Sequence, residues 1–355
     1  MSQAFLAAAS LVWGGAFVVG RILVSQLDPL AAAWLRFVIA AVAFLILEVA
    51  GRAGRRRGGG ARLEIADQRA SDASSAAIAG RDPRWVDYAL LGLTGILAYN
   101  LFFFYGLTLT TAAESSLIIA ASPVVVALIG WAFLDESLSP GKIGGISLSV
   151  MGVVLVILAG SGGGSSGGQM AAGGEMAAAG RLTGDLLMLG GVLAWAAYSA
   201  LGKRVLRRVT PLAATARAVY WGVFFLTVLL LARDGPDFAA EVLAAVGLKE
   251  LLSLLYLALV CTVFGFVSWY RGLKATDVSG AAAFLNLVPL STLVIAAAIL
   301  GERPTVGQLL GGALVIGGVL LVGYADAARR AERERRRGRP VRSKESPGSP
   351  APGAS

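Results

Sequence analysis

The chain of 355 residues contains no histidine and a single cysteine, Cys261. One cysteine rules out an intramolecular disulfide. Without histidine, zinc, haem and iron–sulfur sites lose their usual ligands, and Ser–His or Cys–His catalysis loses its base. The HExxH and P-loop signatures are missing too. These gaps argue against an enzyme, against a metal site and against a cofactor. Charge is also sparse: 15% of the residues are Asp, Glu, Lys or Arg, and they cluster. What fills the chain instead is apolar, 56% of all residues with a mean hydropathy of +0.73. A soluble domain holds about 45–50%. The apolar runs are continuous rather than alternating and about twenty residues long, which fits barrel strands poorly and predicts an all-α polytopic membrane protein of ten helices.

Ten such runs are present, at roughly 4–24, 30–49, 86–107, 112–134, 141–159, 184–201, 212–232, 250–270, 278–300 and 306–324. The N-terminal segment "MSQAFLAAAS" lacks a basic region and reads as an uncleaved first span. Orientation follows from lysine and arginine. With the N-terminus in the cytoplasm, 24 of the 31 basic residues fall in inside segments and five outside, namely Arg21, Arg181, Arg233, Lys249 and Arg303. The positive-inside rule therefore predicts cytoplasmic N- and C-termini. Much of the net charge of +9 sits in "RRAERERRRGRPVRSK" and in one loop, both flanking apolar runs. That placement predicts contact with anionic lipid, not with nucleic acid.

Sliding the sequence by 166 residues aligns 105–157 with 271–323 without a gap, with 15 of 53 positions identical. Gly106 and Leu107 meet Gly272 and Leu273, Pro123 meets Pro289, and Glu136 meets Glu302. A shift of 182 pairs Trp13 with Trp195, Gly20 with Gly202 and Pro29 with Pro211, while Arg36 and Arg217 miss by one place. The chain thus divides into a five-helix repeat over 1–159 (with a cytoplasmic loop at 51–84), a Gly-rich flexible linker at 160–180, a second repeat over 181–325 and a disordered basic tail at 326–355. Because five is odd, the repeats are inverted in the membrane. Inverted repeats recur in secondary transporters.

Several stretches carry a family resemblance: "LVWGGAFVVGR", "DPLAAAWLRFVIAA", "NLFFFYGL", "SPVVVALIGWAFLDESLSPGKIGG" and its echo "VPLSTLVIAAAILGERPTVGQLLGG". Together they resemble the EamA-type members of the drug/metabolite transporter superfamily over about residues 2–324. The resemblance implies a carrier of small molecules in the inner or plasma membrane, commonly an exporter of amino acids, other metabolites or drugs. It also implies a central cavity lined by helices 1, 3, 4, 6, 8 and 9, with helices 5 and 10 peripheral. The rival reading is a membrane-embedded sensor or binding protein without net flux, which calls for a soluble output domain.

Intramembrane polar residues are the candidates for function. Arg36 lies about 10 Å below the outer surface at 1.5 Å per residue. Glu114 lies at matching depth, so the two are expected to pair, or Glu114 to carry a proton. Arg217 lies at similar depth from the inner side, with Asp277, beside Arg271 and Lys274, as its carboxylate candidate, for a structural pair, a lipid-headgroup contact or substrate recognition. Asn100 and Asn286 need partners in lipid, on the cavity or between helices. Trp13, Trp195, Tyr198, Tyr105 and Tyr270 are aromatic candidates for the cavity, although Tyr105 and Tyr270 also suit interfacial anchors. Pro123 and Pro289 are expected to kink their helices and serve as hinges. Gly141 and Gly145, and Gly307 and Gly311, have the four-residue spacing that lets helices approach closely. It reads as packing and also permits a homodimer. Glu136 and Glu302, each between two spans, are expected to order a tight turn at the start of the following helix.

Overall fold

The computed structural model describes residues 2–56, 83–122, 124–125, 128, 140–162, 174–275, 281 and 283–337. Among these residues the chain is nearly all helical and has no strand. Helix α1 is Ser2–Val24 and α2 is Pro29–Arg56. Helix α3 runs Trp85–Leu109, α4 is Ala112–Ile119 and α5 is Pro140–Gly162. Helix α6 is Gly174–Val205, α7 is Pro211–Asp234 and α8 runs Leu248–Ala275. Helix α9 is Leu287–Ile299, entered through a 3₁₀ turn at Ala283–Asn286, and α10 is Val306–Arg337. Eight of these are long and apolar enough to cross a membrane, and Phe284–Ile299 is a shorter apolar helix. The eight residues of α4 are too short to cross alone, and the stretch expected to complete that span lies mostly outside the described residues.

The same local chemistry starts corresponding helices. Asp28 accepts hydrogen bonds through Oδ1 from the amides of Leu30 (3.0 Å) and Ala31 (3.1 Å), with Pro29 as the first residue of α2. Thr210 accepts from the amide of Ala213 (3.3 Å), with Pro211 as the first residue of α7. Both are N-caps followed by a proline whose missing N–H is not needed there. Thr305 and Gln308 form a reciprocal cap at the start of α10.

Two differences from the sequence reading concern ends. Helix α10 continues to Arg337, through residues read as the start of a disordered tail, because alanine, arginine and glutamate prolong a helix that the bundle has already nucleated. For the same reason α6 begins at Gly174, inside the segment read as flexible linker. A short helix at Phe238–Ala244 was not foreseen. It is held by Phe238 against Trp34, with ring centroids 5.1 Å apart.

The packing is unchanged in pattern when each helix is exchanged with the one five places later. Helix α3 packs on α6 and α8 on α1; α4 packs on α6 and α9 on α1; α5 pairs with α10 and α2 with α7. Individual contacts follow the same rule. Arg21 on α1 donates to the carbonyl of Leu107 near the end of α3, and Lys203 on α6 donates to that of Leu273 near the end of α8. A Cβ on Gly145 would lie 2.6 Å from the carbonyl oxygen of Gly318, and one on Gly152 would lie 2.6 Å from that of Gly311. Those two contacts are exchanged by the 166-residue shift, and their order shows α5 and α10 to be antiparallel. The small-residue faces that would permit a homodimer are thus partly used inside the chain, by Gly145 and Gly311.

Candidate functional site

Both α3 and α8 contain a π-helical segment, Gly92–Ala98 and Tyr256–Phe264, which overlap under the 166-residue shift. A π turn widens the helix and leaves carbonyls poorly satisfied, and such turns gather at functional sites. Here side chains of the same helices answer them. Asn100 Nδ2 donates to the carbonyl of Ile96 (2.9 Å) and Thr262 Oγ1 donates to that of Leu257 (2.9 Å). With their donors so committed, Asn100 Oδ1 and Thr262 Oγ1 are left as acceptors. Arg36 of α2 meets both: Nε donates to Thr262 Oγ1 at 3.0 Å and Nη1 to Asn100 Oδ1 at 3.1 Å.

Arg36 borders a cavity with about 470 Å³ of atom-free space, part of it open. Its walls are aromatic and aliphatic. Trp13, Ala16 and Phe17 come from α1, Tyr99 and Phe103 from α3, and Ile119 from α4. Trp195 of α6, Phe266 of α8, Leu285 of the 3₁₀ turn and Val288 of α9 complete them. These are the helices that the family resemblance implied, with α2 added through Arg36 and, among the described residues, none from α5 or α10. Trp13 and Trp195, partners in the 182-residue shift, meet edge to face at 5.1 Å. Trp13 is fixed by a hydrogen bond from Nε1 to the carbonyl of Cys261 (2.9 Å), inside the π segment of α8. Behind Trp195 and Phe266, Tyr198 and Tyr270 stack at 5.2 Å. These two tyrosines back the wall and do not line it.

The other candidates fall elsewhere. Tyr105 is exposed and receives a hydrogen bond from Arg233 (3.3 Å), which also grips Asp28 at the cap of α2. It is a surface residue, because the aromatic face of α3 that turns inward is that of Tyr99 and Phe103. Asn286 is buried between the two wall residues Leu285 and Val288, and its amide has no hydrogen-bond partner among the described residues. Pro289 falls in the first turn of α9, where proline is tolerated, and not mid-helix. The irregularity expected as a kink is instead the 3₁₀-to-α junction just before it. Pro123, Glu136 and Asp277 lie outside the described residues. Arg217 is exposed and sits over the ring of Tyr88, 4.8 Å from its centroid, with Nη1 donating to the tyrosine hydroxyl.

The expected Arg36–Glu114 pair does not form. Glu114 is fully buried and accepts through Oε2 from Arg181 Nη2 (2.7 Å) and Nε (2.9 Å), and from Thr110 (3.1 Å). Arg181 begins the apolar part of α6, a helix too distant in sequence for depth counting to suggest. Buried Asp185 stands one turn further along α6. Glu302 does cap a helix, but not the one that follows it. Its carboxylate accepts from the amides of Ala112 (3.1 Å) and Ala113 (2.9 Å), the free N–H groups that start α4.

The fold defines a polytopic helical membrane protein with a partly open cavity between two exchange-related sets of helices. The chain belongs to the EamA-like transporter family, whose profile matches residues 1–66, 69–158 and 182–324. It is 30% identical to an uncharacterized transporter of Archaeoglobus fulgidus, over 89% of this chain and 95% of that one. It is 27% identical to a protein of Salmonella typhimurium described as a "probable amino-acid metabolite efflux pump", over 91% of this chain and 95% of that one. A solved crystal structure shares the fold, with a TM-score of 0.56 and 21% identity, covering 93% of this chain and 98% of that chain.

Proposed function

We propose that this transporter exports a small, amino-acid-like metabolite by alternating access. The observation that carries the reading is that the cavity is walled by both exchange-related sets of helices, with Trp13 and Trp195 touching between them. Rocking one set against the other would open such a cavity first to one side and then to the other. On this reading the five-helix repeats are inverted in the cytoplasmic membrane and both termini face the cytoplasm. The basic end of α10 then meets the anionic leaflet. The end holding Arg21, Glu114, Arg181 and Glu302 becomes the outer one, and the Glu114–Arg181 pair serves as its latch. The similarity to an amino-acid metabolite efflux pump supports the substrate class. Purified protein in proteoliposomes, challenged with a panel of labelled amino acids and their derivatives with and without a pH gradient, should move at least one of them. No flux of any compound, under conditions where a related carrier works, overturns the reading.

A further inference from the structure

Arg36 is 3% exposed in the middle of a helical bundle and forms no ion pair among the described residues. A buried guanidinium is costly to hold without an anion. Its two hydrogen-bond partners, Thr262 and Asn100, are both neutral, and they use only Nε and one N–H of Nη1. An arginine has five N–H donors. The remaining three, including both on Nη2, have no partner among the described residues, although the side chain borders the cavity. The fork is also held still. Thr262 and Asn100 are each fixed by a second bond to the carbonyls of their own π segments, so the guanidinium is positioned before any ligand arrives.

Among the described residues the cavity offers no carboxylate opposite this charge. The other titratable groups near it are the thiol of Cys261 and the phenols of Tyr99 and Tyr256. Tyr256 already donates to the carbonyl of Val12 (2.7 Å). The rest of the wall, led by Trp13, Trp195, Phe103 and Phe17, is apolar. A ligand that fits must bring one negative charge at one end and an apolar body at the other. A dianion such as a phosphate monoester would leave one charge uncompensated among aromatic rings. A planar carboxylate matches the fork.

We infer that Arg36 is the receptor for the carboxylate of the transported molecule, and that the site takes amphipathic monocarboxylates whose apolar side chain lies against Trp13 and Trp195. The amino group of an amino acid is not required for binding here. This assignment rests on the transport reading and names the substrate class of the same cavity. Two features were visible in the sequence, the intramembrane arginine and the paired tryptophans. Their convergence was not.

The test is binding to purified protein in nanodiscs, followed by tryptophan fluorescence and calorimetry. The probes are 3-phenylpropionate, L-phenylalanine and L-leucine, with phenethylamine, L-phenylalaninamide and phenyl phosphate as their counterparts. The carboxylates should bind at least tenfold more tightly than the amine, the amide and the phosphate. Arg36→Gln should remove that preference, and Arg36→Lys, which keeps the charge but loses the fork, should weaken carboxylate binding less. The comparison among ligands uses the unmutated protein, so it stands even if a variant fails to fold. Equal binding of 3-phenylpropionate and phenethylamine overturns the assignment. So does tighter binding of phenyl phosphate, undiminished carboxylate binding by folded Arg36→Gln, or no binding by any of the three carboxylates at millimolar concentration. Arg36-dependent binding without flux would sink the transport reading and leave the anion site. Flux of an amine that is indifferent to Arg36 would do the reverse.

Discussion

In the shift of 182 residues Arg36 falls opposite Ala218, which is fully buried, and Arg217 is one place away. One residue turns a helix by about 100°, enough to carry a side chain from the bundle interior to its periphery. Arg36 is therefore held inside by Thr262 and Asn100, while Arg217 lies outside over Tyr88. Replacing Arg217 with Gln should cost no more than about 1 kcal/mol, the scale of an exposed cation–π contact, read as a small change in thermal midpoint. Glu114 is the opposite case. Glu114→Gln removes the charged acceptor of the two hydrogen bonds from half-buried Arg181 and should destabilise by about 3 kcal/mol. The double variant with Arg181→Gln should recover part of that loss, and simple additivity of the two single changes would dismiss the pair as an energetic unit. Glu302→Ala removes the acceptor for two helix-starting amides and should cost about 1 kcal/mol. Faster hydrogen exchange at Ala112 and Ala113 is the specific signature, and unchanged exchange there would refute the capping role.

Among the elements, α5 and α10 show how tightly geometry binds sequence. Gly318 approaches the backbone of α5 so closely that a Cβ would sit 2.5 Å from the carbonyl oxygen of Gly145. Backbone cannot yield as a side chain can, so Gly318→Ala should force the helices apart and cost about 1–3 kcal/mol. The same change at Gly323, where a Cβ meets nothing within 4 Å, should be tolerated. Comparing the detergent melting points of the two variants decides whether the contact or mere glycine content matters. The π segments of α3 and α8 are a second lesson. Their helices were legible as apolar runs, but neither the widened turns nor the capture of their carbonyls by Asn100 and Thr262 could be read from spacing. A π turn is chosen by what packs against it, here Trp13 on the carbonyl of Cys261 and Arg36 on the two polar side chains.

For the whole molecule, orientation and motion are the open properties that experiment reaches most directly. In a background with Cys261→Ala, a cysteine at Ser25, exposed in the α1–α2 turn, should react with a membrane-impermeant maleimide on intact cells. One at Arg207, exposed between α6 and α7, should react only after permeabilisation. The reverse pattern would overturn the assigned topology. Cysteines at Phe17 and Phe266, on different walls of the cavity, should respond to a transported compound in opposite senses if access alternates. Protection of both together would mean simple occlusion.

Composition, hydropathy and the two internal shifts determined the class of this protein without help. A chain this apolar has no solvent but lipid, and lipid requires that backbone polar groups be satisfied within helices. The pairings of Trp13 with Trp195 and of Leu107 with Leu273 were already written in the repeat, because duplication copies sequence before it diverges. Matched depth suggested Glu114 for Arg36, yet the fold gave Glu114 to Arg181 and left Arg36 facing a cavity. The tertiary structure alone decided this, because depth fixes only a coordinate along the membrane normal. Which helices are neighbours, and which face each one turns inward, is set by the packing of the bundle in the plane.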